Sequence, residues 1–230
     1  KRYARKTEVA KIFSQKDGVR KPLTVEKRKD GMLMVKISSA GTTPIPVVLL
    51  MRSLGIDNDQ EIFQAIAGPT ETFKLIVANL NEVKDNDEYN VENQEEAMQW
   101  LEKKFAAGQQ KEYREQRIQN LLDKELLPHL ETPLSDNDKE RIGPDLEAQA
   151  EEKKTRNRKK KAIFLGRIVR QVLEMAIKNK EPNDKDHYAN KRVRLAGDLI
   201  EDLFRVSLQQ LARDLKYQLE RHHNRKRDLK

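Results

Sequence analysis

Residue types that could contact a nucleic acid are concentrated in one short stretch, Asn183 to Gly197. Acidic residues and a histidine come first, and a basic cluster follows. A carboxylate can accept hydrogen bonds from the amino and imino groups of bases, and Lys or Arg can hold phosphates. The stretch also allows a simpler interpretation, favoured by the pattern alone, in which these charges pair with one another and fix the loop. The candidate DNA contacts are Asp186, Lys191, Arg192 and Arg194.

A metal site in the same stretch is a second chemistry to weigh. Asp184, Asp186 and His187 carry ligand atoms, but three ligands within four residues and no distant partner are weak support for a metal site. His222 and His223 lie at a basic helix end, where cations suit the helix dipole, so a structural role is favoured there. The phosphate-binding, dinucleotide, zinc-protease and nucleophile-elbow motifs are all absent. We therefore predict no metal site and no catalytic residue.

A second concentration of charge lies between Thr132 and Lys161. The stretch is acidic at first, turns sharply basic from Lys153, and has almost no apolar periodicity. This pattern predicts a mobile charged insertion at the surface over 132–161. A phosphate-contacting role and a merely solvated helix face are about equally compatible with its basic end. The candidate phosphate contacts are Lys159, Lys160 and Lys161.

The composition sets wider limits. Charged and hydrophobic residues each make up 37% of the 230 residues, so we expect solvated helices and charged loops rather than one tight globule. The formal net charge of +8 suits a polyanionic partner, although adaptation to heat or salt produces similar surfaces. The lack of cysteine excludes disulfides and thiolate metal sites, and no apolar run approaches the length of a membrane span. Because the chain begins without Met and stops inside a charged run, we expect it to be part of a longer protein.

The elements that must position these residues are mostly helices. Apolar spacing and turn residues predict a strand over 31–37, and residues 1–30 show no clear period. The fold class expected is mainly α with a small β element. The predicted helices cover 46–54, 59–67, 70–80, 92–105, 111–127, 162–179 and 195–221.

The stretch around Asp186 also carries a family resemblance. Asp184 to Tyr188, Asn190 to Arg192 and Leu195 to Gly197 resemble the DxDHxxNKR…LAG signature of the second-largest subunit of multisubunit DNA-directed RNA polymerases. Asn183 stands where the family commonly has an acid, and Ala189 where it commonly has glycine. These departures weaken transfer of the detailed loop geometry.

Further motifs agree with that family in the same order along the chain. Ile45 to Ile56 resembles its IPxVxxxRxLGI motif, and Asp59 to Ile62 matches the helix that follows. Leu122 to Leu130 is similar to xxEFLPHL, with Leu126 in place of Phe. Lys161 to Gly166 is similar to the start of KAxFLGYM, whose Tyr is replaced by Arg167. The resemblance extends over roughly 31–223.

The resemblance implies an architecture. An irregular multi-helix lobe domain would be followed by a long helix belonging to the protrusion. We expect the end of a first protrusion segment and a leading strand over 1–40, the lobe with its charged insertion over 41–180, and the return into the protrusion over 181–230. The sequence looks archaeal, and the piece would lie in the N-terminal half of the subunit.

The resemblance also implies a mechanical role in the wall of the DNA cleft. Asp186 would accept hydrogen bonds from a guanine, while Lys191 and Arg192 would hold the loop or a phosphate. No cofactor is expected here, since the magnesium and zinc sites would lie elsewhere in the complex. The implied partners are the largest subunit, other subunits, DNA and general initiation factors, with no membrane. The location would be cytoplasmic in an archaeon or nuclear in a eukaryote.

Two other functions remain open. A free-standing basic helical protein could bind nucleic acid through the Lys153–Lys161 run. An interaction module could instead dock a factor through an acidic or apolar surface. Under the polymerase interpretation, the isolated piece is expected to expose apolar surface and to self-associate.

Overall fold

The computed structural model describes residues 7–38, 41, 43–66, 72–108, 110–132, 144–178, 182–184, 186–191 and 193–224, without the side chains of 144–149, 178, 190 and 224. The chain divides into two compact units, Lys1–Pro182 and Asn183–Lys230. The domain boundaries expected from the sequence stay predictions.

A four-stranded antiparallel sheet opens the first unit, in the order β1-β2-β3-β4. The first two strands form a hairpin across the turn at Asp17 and Gly18, where both residues have positive φ, 52° and 76°. Two positive φ values in a two-residue turn match the twist of paired strands, and Asp-Gly is a preferred sequence for such turns. The strands are β1 (Val9–Lys16), β2 (Val19–Lys27), β3 (Leu33–Ile37) and β4 (Ile45–Pro46).

The sheet is larger than the sequence analysis predicted. Only the strand over 31–37 was expected, and β3 confirms it. The hairpin was missed because basic residues interrupt the apolar alternation of β1 and β2. On the side of the sheet that faces the helices, Leu23 and Val25 of β2 and most of β3 are buried.

Four helices follow the sheet and contribute a large part of the core. Helix α1 (Val47–Ser53) is buried along its whole length, so it is central to the unit. The predicted helices over 46–54, 59–67 and 92–105 are confirmed within about two residues. The third helix extends five residues past its predicted end at 80. These later helices are α2 (Asp59–Ile66), α3 (Phe73–Asp85) and α4 (Gln94–Phe105).

The predicted helix over 111–127 is wrong in its last turns. Helix α5 (Lys111–Asn120) passes into a π-helical turn, Leu121–Glu125, in which the Leu126 amide donates to the Leu121 carbonyl at 2.9 Å. Leu127 then adopts a left-handed φ of 45°, and a 3-10 turn covers Pro128–Leu130. The wider turn keeps Leu121, Leu122 and Leu126 in the core just before a proline that cannot continue the helix.

The first unit ends in a long helix that corrects the insertion predicted over 132–161. Helix α6 (Pro144–Lys178) has 35 residues and begins well before the predicted start at 162. Residues 133–143 lie outside the described part. Lys, Arg and Glu are good helix formers, so a charged stretch without apolar periodicity can still be helical when much of it is solvated.

The second unit holds a 3-10 turn, Tyr188–Asn190, and helix α7 (Ala196–Asn224). The helix predicted over 195–221 is confirmed, and its apolar residues are exposed, as expected for the isolated piece. With these elements, the predicted fold class is confirmed: mainly α with a small β element. The exposed apolar residues are Leu199, Ile200, Leu203, Phe204, Val206, Leu208, Leu211, Leu215 and Leu219.

Candidate nucleic-acid interface

The loop that contains Asp186 is shaped by short-range hydrogen bonds. The Asp184 carboxylate accepts from the Asp186 amide at 2.9 Å, and the Asp184 carbonyl accepts from the His187 amide at 3.3 Å. His187 Nδ1 in turn accepts from the Ala189 amide at 3.1 Å, which starts the 3-10 turn. Backbone hydrogen bonding therefore occupies Asp184 and His187, and Asp186 is left at the surface.

Asp186 and Lys191 are brought together. Lys191 Nζ lies 3.5 Å from Asp186 Oδ1, across the 3-10 turn. The Asp186 side chain is 70% exposed and that of Lys191 is 50% exposed. An ion pair this exposed contributes about 0–1 kcal/mol, so both groups can exchange it for another partner.

Arg194 has a different position from these two residues. Its guanidinium forms an ion pair with Asp202, in the second turn of α7. The Leu195 amide donates to the Asp198 carboxylate at 3.1 Å, which satisfies a free amide at the start of the same helix. Arg194 therefore fastens the loop to α7. Arg192, the fourth candidate, lies outside the described residues.

No metal centre forms around His187 in the described part of the chain, where no three carboxylate, histidine or cysteine side chains converge. The same residues contain no helix long and apolar enough to cross a bilayer.

The three basic candidates of α6 have different surroundings. Lys159 and Lys160 are exposed, and Lys160 Nζ donates to the Thr132 hydroxyl at 2.9 Å. Lys161 is only 1% exposed. Its ammonium donates to the Leu122 carbonyl at 2.9 Å and to the Asp123 carbonyl, both in the π-helical turn. The prediction of a phosphate contact is therefore corrected for Lys161, whose donors are engaged inside the protein.

Burial has a chemical consequence for Lys161. Removal from water lowers the pKa of Lys161 to about 8, although Asp123 and Glu131 favour its charged form. The neighbouring Arg158 makes two hydrogen bonds with Asp123, at 2.7 and 2.8 Å. Together Lys161 and Arg158 connect α6 to the turn after α5, so the exposed lysines project from a fixed helix.

Arg52 is a second buried cation, which the sequence pattern did not indicate. Arg52 of α1 is fully buried and donates to the Val91 carbonyl and to Asp59, which also accepts from Lys84 at 2.6 Å. Partial burial opposes ionisation of Asp59, but the hydrogen bonds from Lys84 and Arg52 outweigh it and hold its pKa below the ordinary value. Arg52, Asp59, Lys84 and the Val91 carbonyl form one cluster. The sequence did not indicate it, because Lys84 and Val91 come from distant segments.

Comparison with known proteins adds an independent observation. The family model described as RNA polymerase Rpb2, domain 2, matches residues 4–194. A protein of Methanococcus vannielii, named DNA-directed RNA polymerase subunit Rpo2N, is 39% identical over 214 residues, which are 93% of this chain and 38% of that protein. Its namesake in Halobacterium salinarum is 39% identical over 228 residues, 99% of this chain and 39% of that protein.

A longer relative matches in the same way. DNA-directed RNA polymerase subunit Rpo2 of Saccharolobus solfataricus is 37% identical over 223 residues, 97% of this chain and 17% of that protein. The chain thus spans about two-fifths of the Rpo2N relatives and less than a fifth of the Rpo2 relative.

Proposed function

The chain belongs to the RNA polymerase Rpb2, domain 2 family, and from this premise we propose that it is a non-catalytic N-terminal segment of the second-largest subunit of an archaeal DNA-directed RNA polymerase. In that enzyme it forms part of the wall of the DNA cleft. The observation that carries the proposal is the family match over 4–194, which includes the sheet, helices α1 to α6 and the loop around Asp186.

The proposed role is structural. The core of the first unit connects the sheet to the helices, and it holds the exposed Lys159 and Lys160 on a helix fixed by Arg158 and Lys161. A rigid wall lined by cations attracts DNA phosphates without base specificity. Nucleotide addition, with the magnesium and zinc sites, belongs to other parts of the enzyme.

The partners follow from this place in the enzyme. We propose contacts with the largest subunit and other subunits, with DNA, and with general initiation factors that dock on the outer surface. The exposed apolar face of α7 supports further protein contacts, since such a face is costly to leave in water. The proposed location is the cytoplasm, where archaeal transcription takes place.

The loop around Asp186 is proposed to contact DNA bases. Asp186 would leave its weak pair with Lys191 and accept hydrogen bonds from a guanine, and Lys191 would then be available to a phosphate. The exposure of both side chains supports this exchange. Arg194 would keep the loop in place through Asp202.

Photo-cross-linking tests the proposal. A photoreactive amino acid is placed at position 159 or 186 of the complete subunit, and the polymerase is assembled on a DNA template. We expect both positions to cross-link to DNA, and the same probe at exposed Lys103 of α4 serves as the control. An assembled, active enzyme that cross-links DNA at neither position contradicts the placement beside DNA.

Base recognition needs a separate measurement. Asp186→Ala in the assembled enzyme should change pausing or start-site choice in a sequence-dependent way, because a base acceptor is lost. Asp184→Asn is the matched control, since it replaces a carboxylate that bonds the loop backbone. Unchanged pausing by Asp186→Ala on every template contradicts the base contact.

A free-standing basic helical nucleic-acid-binding protein is the second candidate. The exposed Lys159 and Lys160 favour it, because both lie on the solvated surface of one helix. Tight binding of the isolated chain to duplex DNA, lost with salt and with Lys159→Gln and Lys160→Gln together, would support this candidate. Weak binding by the same chain would leave the polymerase proposal in place.

A further inference from the structure

The outer face of the β1–β2 hairpin carries an aromatic ring between two cations. The Phe13 side chain is about half exposed, and the Arg20 guanidinium carbon lies 3.8 Å from the centroid of its ring. Lys11 Nζ lies 5.2 Å from the same centroid. We call Lys11, Phe13 and Arg20 the aromatic–basic face.

The strand register places these three residues on one side of the sheet. On β1, Lys11 lies two residues before Phe13 and Gln15 lies two residues after it. Arg20 of β2 is directly opposite Gln15. Side chains two positions apart on a strand share a face, as do directly opposed ones. The neighbour Ser14 points to the other side, where it is buried and its hydroxyl lies 2.7 Å from His129 Nδ1. The aromatic–basic face is therefore the solvent side of the hairpin.

The hairpin also shows why Phe13 can present its ring there. The Lys27 amide donates to the Glu8 carbonyl, so these two residues form a hydrogen-bonded pair. In an antiparallel sheet, hydrogen-bonded and non-hydrogen-bonded pairs alternate along the strands. Counting from Glu8 and Lys27, Phe13 and Pro22 form a non-hydrogen-bonded pair. Pro22 has no amide hydrogen to donate. A residue in a non-hydrogen-bonded pair donates no hydrogen bond to the facing strand, so proline is tolerated here. Side chains in such pairs lie close together, which supports the Phe13 ring on one side.

The two cations of this face differ from three other lysines of the sheet. Lys16, Lys27 and Lys36 each pair with a carboxylate, at 2.5, 3.7 and 2.8 Å. Within the described residues, Lys11 and Arg20 have only the Phe13 ring as a charge partner. These three lysines are neutralised, whereas Lys11 and Arg20 remain available for an anion.

We propose that the aromatic–basic face binds a single nucleic-acid strand. A base stacks on the surface formed by Phe13 and the Arg20 guanidinium, and Lys11 holds a neighbouring phosphate. Single-strand sites combine cations that follow the backbone with aromatic or guanidinium planes that accept any base. Charge complementarity favours a polyanion, and the ring favours one with flat unpaired bases over an acidic peptide or a closed duplex.

The inference deepens the proposed function, on which it rests, by naming single-stranded nucleic acid as the ligand of this face. Melted DNA offers unpaired bases to a cleft wall, whereas a duplex keeps its bases stacked. The binding is independent of sequence, because every base has a π-face. It is separate from the loop around Asp186, which carries the proposed base recognition.

Fluorescence anisotropy of the full 230-residue chain with a labelled thymidine oligonucleotide tests the inference. Phe13→Ala should weaken binding at least about fivefold, since one stacked base contributes that much or more. Phe13→Trp should bind as well as the wild type. Arg20→Gln and Lys11→Gln should each weaken binding, whereas the control Lys103→Gln, an exposed lysine on α4, should not.

Several results would overturn the inference. Binding by Phe13→Ala within about twofold of the wild type would exclude stacking, as would an equal loss in Phe13→Ala and Phe13→Trp. If poly-glutamate competes as well as the oligonucleotide and loses as much affinity with Phe13→Ala, the ligand is an acidic protein segment. If a duplex of the same length shows the same losses, the contact is with the backbone alone.

Two measurements keep these outcomes interpretable. Phe13→Leu retains apolar bulk on the hairpin and should fold as the wild type but bind like Phe13→Ala. Assembly of the variants into polymerase should be unaffected, because the face lies outside the core. A failed stacking test together with normal assembly therefore refutes this inference alone, whereas failed assembly of the wild type refutes the proposed function.

Discussion

Gly166 of α6 packs directly against the backbone of Ala65 in α2. A Cβ built at position 166 would lie 2.4 Å from the Ala65 carbonyl oxygen and 2.7 Å from its carbonyl carbon. No real side chain tolerates such a distance, and the obstacle is backbone that cannot rotate away. This contact sets how closely the long basic helix approaches the core of the first unit.

Gly166→Ala should therefore destabilise the first unit by about 2–3 kcal/mol, since overpacking forces backbone shifts. Urea unfolding monitored through Trp100, the chain's single tryptophan, measures the loss. Gly197→Ala in α7 is the matched control, because a Cβ there meets nothing within 4 Å. Equal unfolding midpoints for Gly166→Ala and the wild type would refute the close contact.

The buried Arg52 makes Asp59 important for stability. Asp59→Asn should cost about 2–3 kcal/mol, because it leaves a buried guanidinium without its carboxylate. The exposed Asp57→Asn, two residues earlier, is the control. A loss no larger for Asp59→Asn than for Asp57→Asn would show that Arg52 does not need this partner.

The same carboxylate predicts a pH dependence. The pKa of Asp59 is lower in the folded state than its unfolded value near 3.8. The ionised Asp59 therefore contributes to the free energy of unfolding above that unfolded pKa, and this contribution is lost as pH falls through the folded pKa. The stability difference between the wild type and Asp59→Asn should therefore shrink below about pH 4. A difference that grows as pH falls through this range would have the wrong sign.

The buried Lys161 leads to a second pH dependence of stability, at alkaline pH. Its folded pKa is about 8, against an ordinary 10.5, so the unfolded chain binds more protons between these values. Stability attributable to Lys161 should rise with pH across that window, by about 1–3 kcal/mol. The wild type should gain this amount relative to Lys161→Met between about pH 7 and pH 10. Lys160→Met, the neighbouring exposed lysine, is the control, and a constant difference for Lys161→Met would contradict the buried ammonium.

Lys159 and Lys160 should affect DNA binding rather than stability. Replacing both with Gln in the assembled enzyme removes up to two phosphate contacts. The slope of log affinity against log salt should then decrease by about 1–2. Filter binding over a salt series measures this slope. An unchanged slope would exclude the two lysines as phosphate contacts in the enzyme.

The sequence allowed the helices to be predicted where apolar residues recur at helical spacing, as in α4 and α7. Proline and glycine marked several of their ends correctly. The Asp17–Gly18 hairpin was also readable from its turn residues, but the basic residues of β1 and β2 concealed the alternation. The family resemblance was predictable because several motifs occur in order, and the match over 4–194 confirms it.

Other features depend on contacts between distant segments. Lys161 is buried because the π-helical turn presents two carbonyls to it, and no local pattern distinguishes it from Lys160. The charged start of α6 has no apolar periodicity, so the sequence pattern predicted a mobile insertion there instead of a helix. The Phe13 ring meets Arg20 only once the hairpin register is known.

The most direct test of the central claim is purification of the natural protein that contains this chain through an affinity tag on its gene. We predict that the largest polymerase subunit co-purifies in equal amount and that the complex makes RNA from a DNA template, whereas the 230-residue chain alone makes none. A tagged protein that purifies without other polymerase subunits and without RNA synthesis would contradict the claim.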